Sequence, residues 1–346
     1  MSPGLPYVVV RCHAMRDELL APEVIKNLAQ TKDMKEFLEL LSTTPYREDI
    51  RQGREWAKAT ELERIFNQRF IERLERIVRV CPEDLSEFLQ TYYYMRLEIQ
   101  NLKHILRGKF SKLPVERVKE FLVPLELYRS VAFDELLMVE ELGDFIELLR
   151  GTPYAPLRES LILGQKYDVF WPIEVRFNYL YVGAVRGVLS KIPSADRGRV
   201  MRTVEAEADV ENLLLAVHWR GAERVLPPPE SVFQYVYGFS PGMIKELIEG
   251  GDLDKAVSGL ASPYQEILKP ILEGDVGLVR TNLRRHIYEM AGSGRLINDF
   301  GFPCIMSYLI SCEVEKGDLV AIAWGKEREV DPKRILTYSV LPTYAP

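Results

Sequence analysis

Residues 98–109, EIQNLKHILRGK, carry the pattern from which the fold can be worked out. Apolar residues recur at helical spacing through this stretch, which predicts an amphipathic helix. Asn101 is the exception, because it lies inside the predicted helix, one turn after Glu98. Asn is unfavourable in helix interiors, because its side chain competes for backbone hydrogen bonds. Its presence here indicates a specific role.

The motif occurs twice more in the chain. DVENLLLAVHWRG begins at Asp209 and EKGDLVAIAWGK begins at Glu315, so each copy has an acid, then Asn or Asp one helical turn later, then Leu. A Pro-containing turn follows each copy and predicts the start of a new helix: LPVERV, PPPESV and VDPKRI. The repeated positions are Glu98 and Asn101, Asp209 and Asn212, and Glu315 and Asp318.

Other segments repeat at about one or two times this spacing. PEVIKNLAQTKDM from Pro22 matches PGMIKELIEGGDL from Pro241. EFLELLSTTPY ends at Tyr46, DFIELLRGTPY ends at Tyr154, and SPY ends at Tyr264. A repeat of about 110 residues is too long for a short solenoid, so each copy is predicted to be a small helical bundle.

The predicted fold is therefore all-α, with three pseudo-threefold-related helical bundles. We place them at residues 1–124, 125–237 and 238–346, where Pro and Gly interrupt the helical patterns. Within the first bundle, the segment from Glu61 predicts a long amphipathic helix that ends before Pro82. Strand-like sequence is rare, and PYVVVR at residues 6–11 is its best example.

The repeated Asn and Asp favour a structural role over a ligand site. We expect each side chain to form a hydrogen bond to a neighbouring helix within its own bundle. A triplicated binding pocket would keep similar residues beside the motif, but Lys103, Leu214 and Val320 differ.

Composition limits the possible functions. The chain is 47% hydrophobic, enough for a sizeable core, and its net charge of −6 offers no general attraction to nucleic acid or anionic lipid. The four cysteines form no CxxC pair, so we expect reduced, buried thiols. We find neither a signal-peptide pattern nor an apolar run of about 18 residues.

No catalytic, cofactor-binding or metal site is predicted. The GxxxxGK[ST] pattern is absent, and GSGRLIND from Gly292 has only the first two glycines of a dinucleotide fingerprint. The four histidines are isolated in sequence. The acid-rich EAEADVE from Glu205 would spread around a helix, which favours a solvated helix start over a cation site.

Three stretches together resemble a known family: Ala14 and Met15 before the first ELL, LELLSTTPY at residues 38–46, and EIQNLKHILRGK. They are similar to the C subunit in the central axle of archaeal-type (A/V-type) ATP synthases, the counterpart of the d subunit of vacuolar ATPases. All three copies occur in the expected order. The sequence departs from the pattern at Gly317 and Asp318 in the third copy, and at Gly221, which comes late in the second.

The resemblance implies a funnel-shaped, all-helical protein without chemistry of its own. Such a protein sits on the cytoplasmic mouth of the membrane proteolipid ring as a peripheral component and receives the D and F subunits of the central stalk on its other side. It transmits torque between ATP synthesis or hydrolysis in the A/B head and proton or sodium flow through the ring. No cofactor and no nucleic-acid partner are implied.

The residues themselves leave two other classes open. A general helical scaffold or adaptor protein would bind peptides in grooves between helices. An all-α enzyme would require the repeated acids of the three copies to face one cavity.

Overall fold

The computed structural model describes residues 4–51, 58–220, 225–233, 237–292 and 301–344, except the side chain of Arg51. These residues contain helices and connecting segments but no β-strand, which confirms the all-α prediction. The α-helices are α1 (Leu5–Arg16), α2 (Pro22–Gln30), α3 (Met34–Leu41), α4 (Arg47–Arg51), α5 (Ala59–Val78), α6 (Glu83–Leu89), α7 (Met95–Phe110), α8 (Val115–Lys119), α9 (Phe133–Met138), α10 (Leu142–Leu148), α11 (Arg158–Tyr167), α12 (Trp171–Val188), α13 (Ser194–His218), α14 (Pro229–Val232), α15 (Pro241–Ile248), α16 (Leu253–Ser258), α17 (Tyr264–Leu268), α18 (Val276–Met290), α19 (Phe302–Glu327) and α20 (Pro332–Thr337). One π-helical segment (Gln90–Tyr94) and four 3₁₀ segments (Ala155–Leu157, Leu189–Lys191, Lys269–Glu273 and Leu341–Tyr344) complete the regular structure.

The chain divides into two compact units. One is formed by residues 1–86 together with 277–346, and the other by residues 87–276. The division into three bundles at residues 1–124, 125–237 and 238–346 stays a prediction.

In the first unit, the core forms around α19. This helix is apolar on nearly all sides and packs against α5, α1, α2 and α3. The long amphipathic helix expected from Glu61 is α5, and the Glu61 side chain accepts a hydrogen bond from the Lys58 N–H at its start. No helix in the described part of the chain is both long and apolar enough to span a membrane.

The strand-like segment PYVVVR is helical, so that expectation was wrong. It lies in α1, where the buried residues Val8, Val9, Cys12 and Met15 recur at helical spacing and form the face that packs on α19. Local β-propensity of the valines is overridden here, because a helix buries all four side chains against the core.

In the second unit, α12 packs against α13 and α11, and also contacts α7 and the π-helical segment. A π-helix shifts backbone pairing from i→i+4 to i→i+5. Within this segment the Tyr92 carbonyl oxygen accepts a hydrogen bond from Tyr181 Oη of α12 at 2.7 Å. That contact fixes the N-terminal end of α7, the helix that carries Glu98 and Asn101.

The predicted helix starts after each motif copy are confirmed: LPVERV, PPPESV and VDPKRI open α8, α14 and α20. In two copies the turn before the new helix is the same. Gly108 and Gly325 accept hydrogen bonds at 2.8 Å from the N–H groups of Leu113 and Val330. A Cβ at Gly108 would lie 2.4 Å from Val118, and a Cβ at Gly325 would lie 2.6 Å from Ile335. Glycine thus allows the following short helix to pack closely on the long one.

Candidate functional site

All six repeated side chains of the motif are buried, with exposed fractions of 0 to 1%. They lie on the three long helices α7, α13 and α19, one pair on each. We call Glu98, Asp209 and Glu315 the acid position, and Asn101, Asn212 and Asp318 the amide position. Burial of a carboxylate is costly unless it is hydrogen-bonded or paired, so the partners of each acid are informative.

Glu98 accepts hydrogen bonds from a loop and from a tyrosine. The Ser130 and Val131 N–H groups both donate to it, the latter at 3.1 Å, and Ser130 Oγ donates at 3.1 Å. Tyr154 Oη donates at 2.7 Å. Burial, followed by the Glu98 charge, raises the pKa of Tyr154, so this hydroxyl stays a donor.

Asp209 has equivalent partners. The Tyr237 N–H donates to both carboxylate oxygens, at 3.0 and 3.2 Å, and the Gly238 N–H donates to Oδ2. Tyr264 Oη completes the group at 3.2 Å. The middle of the acid-rich run EAEADVE is therefore not a solvated helix start: it lies well inside α13, and Asp209 is fully buried.

Glu315 repeats the arrangement and adds a cation. It accepts hydrogen bonds from the Leu20 N–H and from Tyr46 Oη, the latter at 2.6 Å. Arg73 Nη1 donates to it at 2.6 Å, while Arg73 Nη2 donates to the Glu18 carbonyl oxygen at 2.8 Å. Burial alone would lower the pKa of Arg73, but the Glu315 carboxylate outweighs this and raises it, so the pair is ionic.

The two motifs found in the sequence thus meet in the structure. The first two acids each bind the tyrosine of the next Pro-Tyr motif along the chain. The third acid, Glu315, binds the tyrosine of the first such motif, Tyr46. Both motifs are visible in the sequence, but nothing in the sequence shows that they are in contact.

In the first and third copies, the amide position binds backbone in a connecting segment. Asn101 Nδ2 donates to the Val123 carbonyl oxygen at 2.9 Å, and the Val123 N–H donates to Asn101 Oδ1 at 2.7 Å. Val340 lies at the same offset from Asp318, whose two oxygens accept from its N–H at 2.9 and 3.0 Å and from the Leu341 N–H at 2.7 Å. In these two copies the expected hydrogen bond exists, but Val123 and Val340 lie in connecting segments and not in a neighbouring helix.

In the second copy, Asn212 Oδ1 accepts a hydrogen bond at 2.9 Å from Asn178 Nδ2 of the neighbouring helix α12, as expected. The backbone position equivalent to Val123 and Val340 is Gln234, which lies outside the described residues. Gly221, one of the departures from the family pattern, also lies outside them.

The two departures in the third copy, Gly317 and Asp318, both concern the contact with Arg284. Asp318 carries a charge that Asn lacks, and Arg284 Nη1 lies 4.0 Å from it. A Cβ at Gly317 would lie 2.6 Å from this Arg284 nitrogen, so glycine leaves room for the guanidinium. Burial still raises the pKa of Asp318 to about 6, although Arg284 acts to lower it.

A further repeated residue, a cation near the end of each long helix, escaped the sequence analysis. Lys109 Nζ donates to the carbonyl oxygens of Leu137, at 3.1 Å, and Val139. These carbonyls end α9. Cations stabilise helix C-termini, because the last carbonyls lack intrahelical partners and the helix dipole is negative there.

The other copies place a cation at the same offset from the acid. Lys326 Nζ donates to the carbonyl oxygens of Ala29, at 2.8 Å, and Thr31, which lie at the end of α2. Arg220 Nη2 donates at 3.2 Å to the carbonyl oxygen of Gly250, which follows α15. The signal available in the sequence was the ending of the motif copies. The first and third copies end in Gly followed by a cation, RGK and WGK, whereas in the second copy the cation precedes the Gly, as RG.

This arrangement leaves the motif carboxylates engaged in structural hydrogen bonds. Neither of two surface clefts in the described structure, one beside α11 and α12 and one beside α19 and α20, is lined by a motif residue. Across the described residues, no group of three or more His, Cys, Asp or Glu is arranged to hold a metal ion. All four cysteines are buried and free, as expected. Apart from Gly292, the glycine-containing GSGRLIND lies outside the described residues.

Comparison with known proteins gives the class of protein. The family model of the ATP synthase (C/AC39) subunit matches residues 8–338, and the chain therefore belongs to this family.

Similar proteins are the C subunits of the A-type ATP synthases of several archaea. That of Methanosarcina barkeri is 26% identical over 336 residues, covering 94% of this chain and 90% of the relative. That of Methanosarcina acetivorans is 24% identical over 343 residues, covering 94% and 89%. That of Methanocaldococcus jannaschii is 23% identical over 341 residues, covering 95% and 84%.

Replacement of the acid-bound tyrosines by phenylalanine should destabilise the protein in a defined order. Tyr154→Phe and Tyr46→Phe each remove a short hydrogen bond to a buried carboxylate, so we expect losses of about 1–3 kcal/mol in the free energy of unfolding. Tyr264→Phe should cost less, because its bond is longer at 3.2 Å. Chemical denaturation measures the three values, with Tyr167→Phe on the half-buried end of α11 as the control. Equal effects at all four positions would contradict the assignment.

Asp318 should make stability depend on pH in the acid range. Its pKa rises on folding from 3.8 to about 6, because burial disfavours the charge. The folded state therefore binds this proton more tightly, and the resulting stability is full below about pH 4 and lost as the pH rises through about 6. The loss is at most roughly 3 kcal/mol.

Unfolding experiments across this pH range test the contribution with a reciprocal pair of variants. Asp318→Asn should flatten the decline in stability, and Asn101→Asp at the equivalent position should steepen it. A slope that Asp318→Asn leaves unchanged would show that Asp318 does not titrate in this range.

Proposed function

We propose that this chain is the central-stalk (rotor) component of an A/V-type ATP synthase, joining the D and F subunits of the stalk to the membrane proteolipid ring. The observation that carries the proposal is the family match, which extends over nearly the whole chain. The archaeal relatives, which are named as C subunits of A-type ATP synthases, support it, since the alignments cover most of both chains. The complex would use proton or sodium flow to drive ATP synthesis.

In this proposal the chain is not a catalyst. The repeated side chains form hydrogen bonds to backbone, tyrosine, arginine or, for Asn212, the Asn178 side chain. Such groups stiffen a fold, because buried charged hydrogen bonds are stronger and better oriented than exposed ones. Glu98, Asn101, Asp209, Asn212, Glu315 and Asp318 would thus act as a structural repeat motif, without metal or cofactor.

A rotor component must transmit torque without bending. Single ion pairs at an exposed surface contribute only about 0–1 kcal/mol, so torque transfer to a ring of many protomers favours broad contact by a stiff body. Three helical bundles, residues 1–124, 125–237 and 238–346, arranged as a funnel would provide such a body. The repeated acid and cation positions support this organisation, because each ties one motif copy to the next.

The proposed location is the cytoplasmic side of the membrane, with membrane contact only through the proteolipid ring. Nucleic acid is not a proposed partner, since the net charge of −6 gives no general attraction to phosphate.

Reconstitution of the ATP synthase with and without this chain tests the coupling role. A complex assembled without it should keep ATP hydrolysis in the A/B head but lose hydrolysis-driven ion pumping into vesicles. Adding the purified chain back should restore pumping. If pumping persists in its absence, the coupling role is wrong and a general helical scaffold or adaptor function takes its place.

A further inference from the structure

A surface cleft of about 340 Å³ lies in the first unit, between the C-terminal end of α19 and α20. Its lining combines apolar and aromatic side chains with two arginines: Trp324, Arg328, Val330, Arg334, Ile335 and Tyr338. A volume of this size suits one or two bulky side chains of a binding partner. The motif residues discussed above do not take part in it.

The aromatic wall of the cleft is held in place by the protein itself. Trp324 Nε1 donates a hydrogen bond to Glu63 Oε2 at 2.8 Å, which fixes the orientation of the indole. The Arg328 guanidinium lies over the Trp324 ring, 4.8 Å from its centre. A preformed surface loses little side-chain entropy on binding, so the cleft is suited to recognition.

The two arginines of the cleft are not engaged in ion pairs with described residues. Arg328 and Arg334 are exposed, and neither forms an ion pair with a residue in the described part of the chain. Three carboxylates lie close to the arginines in sequence, those of Glu327, Glu329 and Asp331. Glu327 Oε1 accepts from the Ala59 N–H at 2.9 Å, and Asp331 Oδ1 accepts from the Lys333 N–H at 2.8 Å.

The equivalent turn and short helix of the first motif copy contain an ion pair that the third copy lacks. Arg117 occupies the position equivalent to Arg334 and pairs with Glu120 one turn later. In the third copy the position of Glu120 is taken by Thr337, whose hydroxyl donates to the Lys333 carbonyl at 3.0 Å. Arg328, moreover, replaces Ser111. At these two positions the third copy has a cation in place of Ser111 and an uncharged residue in place of Glu120, while Glu329 and Asp331 take the places of Lys112 and Pro114.

We propose that this cleft docks a segment of a partner protein that presents an acidic side chain beside a bulky apolar one. The carboxylate would bind Arg328 and Arg334, and the apolar side chain would pack on Val330 and Ile335. Arginine pairs with carboxylates through directional, charge-assisted hydrogen bonds, and Trp, Tyr and Arg are the residues that most often dominate binding at interfaces. This inference goes beyond the coupling role, since it specifies the chemistry of a partner segment whatever complex the chain joins.

A pair of small probes tests the chemistry of the cleft on the purified chain. 4-Phenylbutyrate carries a carboxylate and an apolar ring, and 4-phenylbutyramide differs only in charge. We expect the carboxylate to bind with a dissociation constant of about 1 mM, followed by the Trp324 indole N–H resonance, which Trp324→Phe identifies. The amide should bind at least tenfold more weakly.

Variants assign this binding to the two arginines. Arg328→Gln and Arg334→Gln should each weaken binding of 4-phenylbutyrate about tenfold, whereas Arg117→Gln at the equivalent exposed corner should have no effect. Equal binding of acid and amide, an absence of binding, or affinities unchanged by both arginine variants would overturn the proposal.

A photo-crosslinking amino acid at Val330 identifies the occupant in the complex assembled with the partners of the chain. The crosslinked peptide, mapped by mass spectrometry, should contain Asp or Glu next to a large apolar residue, and Arg334→Gln should reduce its yield severalfold. Crosslinks to a second copy, to lipid or to a segment without an acid would overturn the proposal, as would their absence. A mapped acidic segment from a protein outside the ATP synthase would support docking and contradict the coupling role.

Discussion

The need to satisfy a buried carboxylate in each motif copy is the constraint on which the rest of the structure depends. Glu98, Asp209 and Glu315 lie on helices whose neighbouring residues form the core, so the acids cannot reach water. An unpaired buried charge is strongly destabilising. Each acid is satisfied by a tyrosine hydroxyl and by one or more backbone N–H groups near the start of the next copy, and the cation position caps the first or second helix of that copy. Neighbouring copies are therefore tied by polar contacts as well as by packing.

The contact between the third and first copies differs from the other two. Chain connectivity leads directly from Glu98 to Tyr154 and from Asp209 to Tyr264, but Glu315 and Tyr46 lie near opposite ends of the sequence. Arg73 is an additional partner of the acid at this place, and both side chains of the pair are at most 3% exposed. Removing one partner of such a pair commonly costs about 3–5 kcal/mol, so it holds the two chain ends together firmly. Because loop closure over a long chain is entropically costly, a stronger contact is physically reasonable where covalent continuity is missing.

Much of this architecture was predictable because its signals are local or repeated. Helical spacing gave α5 and α7, Pro-containing turns gave the starts of α8, α14 and α20, and the misplaced Asn101 pointed to the buried polar group. The partners of these residues were not predictable, because hydrogen bonds from Glu315 to Tyr46 and Arg73 join segments far apart in sequence. A single sequence contains no distance between them. PYVVVR was misassigned for a related reason, since its helical conformation depends on packing against α19.

The cation position and the docking cleft lay beyond sequence reasoning for another reason. Lys109, Arg220 and Lys326 resemble ordinary solvated charges at helix ends until the carbonyls they bind are located. Likewise, Arg334 and Arg117 occupy equivalent positions in the sequence, and only the structure shows that Arg117 pairs with Glu120 whereas Arg334 forms no ion pair in the described part of the chain.

Amide hydrogen exchange tests most directly whether the buried acids join the motif copies. The N–H groups of Leu20, Val131 and Gly238 lie outside helices, and each donates to a buried carboxylate. Measured by NMR, all three should exchange as slowly as core helical amides, and Glu315→Gln should accelerate exchange at Leu20 while leaving Val131 and Gly238 protected. Exchange of the three amides at the rate of exposed loops would contradict the structural role assigned to the acids, and so would uniform acceleration in the variant.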